Sequence, residues 1–310
     1  MSKKRDLFDY DTIRKHRPTL SDSSLRTYKS ILTNLYKKMR PDSEGYNKDF
    51  FMLHPKEVIE FLKDVRPANR KTSLSALTVY TLDDPKVSGL YQNLMMRDGR
   101  VYQDEVQSQE KTKKQRENWI SQEEVKTIYD NLEKVVKPIF NNYKDGDTIP
   151  VRDLEKIQDY VIASVYTIIP PRRLLDYTEF KVRNFTEGDD GDNYMKNGTF
   201  YFNKFKTAKY KKDSFKIPIR LKNIVSKWMK ISGSDWLLFQ SRNKNKHISP
   251  SFLNGVLHRI FGNGISVNSL RHSFLSEYYK NMPKLKEMGE VAEQMGHTVS
   301  TALEYVKKDD

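Results

Sequence analysis

Tyr305 stands near the carboxyl end of a strongly basic chain, and upstream of it, in order, come Arg173, Lys206, Arg271 and His297. These side-chain types suit attack on a phosphodiester without a metal ion. Such a reaction needs fixed positive charge on the non-bridging oxygens, a nucleophile, and an acid for the departing 5′ oxygen. The two arginines fit the first task, because a guanidinium stays charged and can clamp an oxyanion with parallel donors. Lys206 offers a flexible ammonium that can protonate the leaving oxygen, with Lys204 and Lys209 as rivals in the same lysine-rich hairpin. His297 can hydrogen-bond a phosphate or assist proton transfer. Tyr305 is the candidate nucleophile, and a phenol that ordinarily titrates near ~10 needs adjacent positive charge for that task.

Each residue has a duller explanation when taken alone. Tyr305 is one of 18 tyrosines, a lone arginine is usually a surface ion pair, and a lone histidine usually packs. Three local segments change the balance. They are Arg173-Leu174-Leu175-Asp176 after Ile169-Pro170-Pro171-Arg172, Leu270-Arg271-His272-Ser273-Phe274 after Asn268, and Met295-Gly296-His297-Thr298 ahead of Tyr305. In these segments the chain resembles the tyrosine recombinase (phage-type integrase) family, whose first-arginine, second-arginine and histidine boxes they match in order. The resemblance spans Trp119 to Asp310. The Pro-Pro-Arg-Arg opening and the Met-Gly-His ending are similar to integrases of viruses and mobile elements.

The resemblance implies a DNA-cutting and rejoining enzyme whose catalytic set is Arg173, Lys206, Asn268, Arg271, His297 and Tyr305, supported by Asp176 and His272. It implies a 3′-phosphotyrosyl intermediate, strand exchange in a tetramer on double-stranded DNA, and no metal or nucleotide cofactor. Two departures stand out. Asn268 occupies the position where the family usually has a histidine, so removal of the Tyr305 proton would fall to His272, His297, water or hydroxide. Only Val306 to Asp310 follow the tyrosine, which implies subunit association through other surfaces or a shortened chain. A type IB topoisomerase and a DNA-binding relative that has lost cleavage are the alternatives. A metal-dependent nuclease on Asp189, Asp190 and Asp192 is remote, since Gly-flanked acidic runs are usually solvated turns.

The elements that must position these groups read as a mainly α protein with a small antiparallel β-sheet, an α+β class. A net charge of +14 over 310 residues favours a polyanionic partner. The absence of cysteine removes disulfides, thiolate zinc sites and thiol nucleophiles. No apolar run reaches membrane-spanning length and the start of the chain leads into no signal core, so the expected location is inside the cell, in cytoplasm or nucleus with the DNA.

Residues 1–107 read as a basic arm and a small helical domain, which by the resemblance is similar in kind to the family's core-binding domain. Helices are expected at Ser21 to Met39, Pro55 to Val65, Asn69 to Thr81 and Val87 to Met96, with Arg70 and Lys71 facing backbone phosphates. Residues 108–118 lose apolar periodicity and read as a polar linker. Residues 119–310 form the second domain, opened by the Ser121/Glu124 capping box and a further helix over Val151 to Thr167. Strands are expected around Val182 and Phe185, at Thr199 to Phe202, and at Phe215 to Ile219, with Lys204 and Lys209 beside the DNA. Helices then return at Leu221 to Ile231, Ser249 to Ile260, Asn268 to Tyr279 and Leu285 to Met295.

Overall fold

A computed structural model describes residue 8 and residues 10–188, 190–205, 213–280 and 285–307. Lys206, Lys209 and Asp189 lie outside the described residues, as does the basic arm before residue 8. The chain divides into two compact units, Met1–Ser108 and Gln109–Asp310. Both are rich in helix, and the second carries the sheet, so the class is mainly α with small sheets.

In the first unit the helices are α1 (Tyr10–His16), α2 (Asp22–Met39), α3 (Phe50–Leu53), α4 (Pro55–Phe61), α5 (Pro67–Tyr80) and α6 (Pro85–Gln107). Ser21 caps α2 by accepting from the Ser24 amide, which satisfies one of the four orphan N–H groups of a helix start. Asp84 does the same for α6, with Pro85 in the first turn. Along α2, Leu25, Leu32, Leu35, Tyr36 and Met39 are buried, as their helical spacing requires. Tyr36 and Phe51 meet Phe8 and Tyr80 in an aromatic cluster whose contacts are edge-on except for the tilted Phe8–Phe51 pair.

Helix α6 runs well past the Met96 limit expected from periodicity. A buried polar contact holds its middle. The Arg70 guanidinium donates to both carboxylate oxygens of Asp98 at 2.7 Å and to the Lys63 carbonyl at 2.8 Å. Arg70 is therefore a structural cation and not the phosphate contact expected of it, because its donors are engaged inside the unit. Lys71 is partly exposed, and its ammonium lies over the Tyr102 ring at 5.5 Å.

The second unit opens with α7 (Lys113–Glu117), then α8 (Gln122–Asn142), α9 (Val151–Thr167) and α10 (Leu174–Thr178). Capping boxes start both α7, through Thr112 and Gln115, and α8, through Ser121 and Glu124. The polar stretch 108–118 thus folds in part, and Lys111 lies over the Trp119 ring at 4.5 Å. Helix α9 is the central element, with Ile157, Val161, Ile162 and Val165 at 0% exposure.

The sheet follows as β1 (Phe180–Lys181), β2 (Asn193–Lys196), β3 (Thr199–Phe202) and β4 (Asp213–Lys216), in that spatial order. Its β2/β3 and β3/β4 pairs are antiparallel, whereas β1 and β2 run parallel. Strand β2 was not among the expected strands, and it follows directly on the Gly-flanked acidic run that holds Asp190 and Asp192. The expected first strand shortens to β1, and Phe185 lies beyond it, stacked on Tyr194 at 4.4 Å. After the sheet come α11 (Ile219–Ser232), a two-stranded ribbon of β5 (Phe239–Gln240) and β6 (Asn243–His247), and α12 (Pro250–Phe261). The polar sequence of β6, Asn-Lys-Asn-Lys-His, gave no strand signal.

The last helices are α13 (Val267–Lys280), α14 (Leu285–Gln294) and α15 (Val299–Leu303). Leu275, Ala292, Met295 and Ala302 form a separate buried cluster, with Tyr305 and Val306 packed against it. This cluster ties the segment that carries Tyr305 to α13. Among the described residues, no helix is long and apolar enough to cross a membrane.

Candidate active site

Arg173 sits at the N-cap of α10 with extended backbone, φ −69° and ψ 156°. Its Nη2 lies 3.3 Å from His297 Nδ1. An arginine can only donate, so Nδ1 of His297 is the acceptor, and the neutral ring carries its proton on Nε2. Arg271, on α13, is fully buried and donates from Nη1 to the Pro171 carbonyl at 2.8 Å. Its guanidinium lies over the Tyr305 ring, 4.9 Å from the centroid. The His272 and His297 rings approach the same tyrosine at 4.9 and 5.0 Å.

Arg173, Arg271, His297 and Tyr305 therefore converge inside the second unit. In this cluster Arg173 Nη1 and Arg271 Nε and Nη2 are buried with no hydrogen-bond partner among the described residues. Leaving charged donors buried and unpaired is costly, so the arrangement suits an anion that accepts from both arginines. Burial pulls the Arg271 pKa below its ordinary value, with Arg173 adding to the effect and the Tyr305 phenol working the other way. The guanidinium still stays charged at neutral pH.

Arg172 explains how the cluster is held. It has no exposed surface, and it donates to Asp176, to Asp213 at the start of β4, and to the Gln294 carbonyl at the end of α14. Its guanidinium also stacks 3.9 Å from the Phe202 ring centroid. One side chain thus ties α10, the sheet and the helix that leads into His297. Asp176 serves this neighbour and not Arg173. Burial raises the Asp176 pKa, and Arg172, Arg173 and Arg271 oppose the rise.

Gly296 connects α14 to His297 at φ +70°, a left-handed conformation that closes the helix end. A Cβ there would stand 3.0 Å from Arg172 Nη2. Gly296→Ala is expected to destabilise the second unit by ~1–2 kcal/mol, the usual penalty for a side chain in that region. The three tryptophans, Trp119, Trp228 and Trp236, all belong to this unit, so fluorescence-detected urea unfolding measures it directly. An unmoved midpoint would count against the strain.

The other expected residues divide. Asn268 is exposed on α13, one turn before Arg271. Lys204 pairs with Asp192 at 3.1 Å and keeps about half of its side chain in solvent (53%). Asp192 also pairs with Lys181 and accepts from the Thr186 amide. His272 donates from Nδ1 to the Tyr305 carbonyl oxygen at 2.7 Å. Burial lowers its pKa to about 4, which keeps it neutral at physiological pH.

Sequence reasoning missed Arg172, Asn193, Gln115 and Ser276. Asn193 is buried and bonds the Lys204 main chain at both its amide and its carbonyl, fixing the chain that leads toward Lys206. Doubled arginine at Arg172-Arg173 was the one available signal, since two adjacent cations cannot both face one anion from an extended backbone.

No protein-family model matches the chain, and no curated protein sequence matches it. Among solved structures it is similar to one titled a crystal structure of XerA recombinase. That likeness covers 97% of this chain and 94% of the other at 11% identity, with a TM-score of 0.43. At that score and identity the likeness decides nothing about activity.

Proposed function

We propose that the chain is a metal-independent DNA strand transferase of the tyrosine recombinase type. In this reading Tyr305 attacks the scissile phosphate, forming a 3′-phosphotyrosyl link and releasing a 5′ hydroxyl. The observation that carries it is the convergence of Arg173, Arg271 and His297 around Tyr305, with buried guanidinium donors that have no acceptor among the described residues. Arg173 and Arg271 hold the charge that develops on the non-bridging oxygens, and His297 donates from Nε2. Lys206 protonates the leaving oxygen, and Asn268 adds a phosphate contact. The covalent link conserves the bond energy, so religation needs no nucleotide.

Residues 1–107 then serve as the core-binding domain, 108–118 as the connection and 119–310 as the catalytic domain. Lys71, Lys204 and Lys209 supply backbone contacts on duplex DNA, and the working assembly is a tetramer inside the cell. Integration of a mobile or viral element is the biological setting the motifs favour. An asparagine at position 268, which cannot act as a base near neutral pH, supports a second reading, a DNA-binding relative with weak or absent cleavage.

A nicked suicide duplex separates the two. Incubated with the full chain in the presence of chelator, it is expected to yield a denaturant-resistant complex through the DNA 3′ end. Salt-sensitive binding alone would instead identify the DNA-binding relative. Junctions between two DNA sites point to a recombinase, and relaxation of supercoils by monomers points to a type IB topoisomerase.

A further inference from the structure

The segment that carries Tyr305 has little order of its own. Helix α15 has five residues, too few to be stable alone, and Tyr305 lies beyond its end. Two α13 side chains one turn apart hold the main chain that follows. His272 Nδ1 meets the Tyr305 carbonyl oxygen at 2.7 Å, and Ser276 Oγ accepts from the Lys307 amide at 2.7 Å. Residues spaced by four lie on one helix face, so both bonds come from the same side. Both go to the main chain and leave the phenol untouched.

A third residue sets the imidazole. The Gln115 carboxamide oxygen accepts from the Thr112 amide at 2.8 Å in the box that starts α7. This fixes the orientation of the carboxamide and presents its NH2 group to His272 Nε2, at 3.4 Å. A carbonyl can only accept, so Nδ1 of His272 must carry the ring proton, and Nε2 must offer its lone pair to Gln115. Two independent partners therefore demand the same tautomer.

Resting on the reading of Tyr305 as nucleophile, we propose that His272 and Ser276 are positioning residues that clamp the tyrosine segment by its main chain, with Gln115 fixing the tautomer that the clamp requires. His272 is then not the base that takes the phenolic proton, because its lone pair already serves Gln115. Burial, which keeps the ring neutral down to about pH 4, agrees with this assignment. Precision matters here because a nucleophile displaced by about 1 Å can lose ~100-fold in rate.

The test has two arms on the full chain. Nitrogen-15 histidine NMR at pH 7 is expected to show His272 protonated on Nδ1, and an Nε2-protonated ring would overturn the clamp. Gln115→Glu keeps an acceptor for the Thr112 amide but turns a carboxylate toward Nε2, so the His272 midpoint is expected to rise by about one unit or more. An unchanged midpoint removes Gln115 from the proposal. In the second arm, His272→Leu is expected to slow adduct formation on the nicked duplex by about 10- to 100-fold with DNA binding unchanged.

His272→Asn places an amide donor where Nδ1–H stood and is expected to recover most of the rate, whereas His272→Gln, which mimics Nε2, is not. Equal rates for Asn and Gln, or a wild-type rate for Leu, would overturn the proposal. Should Leu fail to fold, the Asn and Gln pair still decides. Absence of any adduct with the unaltered protein would instead sink the functional reading, while the NMR arm continues to judge the clamp.

Discussion

Tyr305→Phe is expected to abolish the covalent DNA complex completely while leaving salt-sensitive DNA binding intact. The reason is local. The phenylalanine ring keeps its place against Arg271, His272 and His297, and the main-chain bonds from His272 and Ser276 do not involve the side chain. Only the phenolic oxygen is lost, and in the proposed reaction it is the atom that bonds to phosphorus. The measurement is a denaturing gel of the nicked duplex, paired with binding titrations at several salt concentrations. Wild-type levels of adduct from the Phe variant would move the nucleophile to another tyrosine.

The second large effect concerns stability. Arg172→Met is expected to destabilise the second unit by about 3–5 kcal/mol, the usual cost of removing one partner from a buried ion pair. Arg172 and Asp176 have fully buried side chains, and Asp213 is nearly so at 5%. Without the guanidinium, two carboxylates stay in the interior without their main cation, and the carbonyl of Gln294 loses a donor. Methionine fills similar space, so the loss reflects charge more than volume. Tryptophan-detected urea unfolding measures it, and a shift below about 1 kcal/mol would show that solvent reaches the carboxylates. Because Arg172 also holds the end of α14, the variant should weaken adduct formation even where it stays folded.

Much of this fold is legible in local signals. Ser21 caps α2, Ser121 and Glu124 box the start of α8, and Ser249 with Pro250 opens α12. Helix α9 falls on the limits that its apolar spacing indicates. Such signals act within one or two turns, so a single sequence carries them. Strand β2 and the β5/β6 ribbon were harder to read, because their hydrogen bonds come from partner strands, β2 and β5 are only four and two residues long, and β6 is polar throughout.

Residue chemistry and order along the chain nominated Arg173, Arg271, His297 and Tyr305. Which guanidinium is paired in the interior and which keeps buried donors without a partner among the described residues was decided only by the tertiary structure. Arg70 and Arg172 look as available as Arg173 in the sequence, yet Asp98 and Asp213, 28 and 41 residues away, engage them in the interior. The Arg173–His297 contact spans 124 residues, and the His272 bond to Tyr305 spans 33. The sequence alone settled the helical framework and the types of side chain on offer, because caps and periodicity depend on near neighbours. Burial, pairing and tautomer depend on which distant groups the packed core brings together, and no short stretch of sequence contains that information.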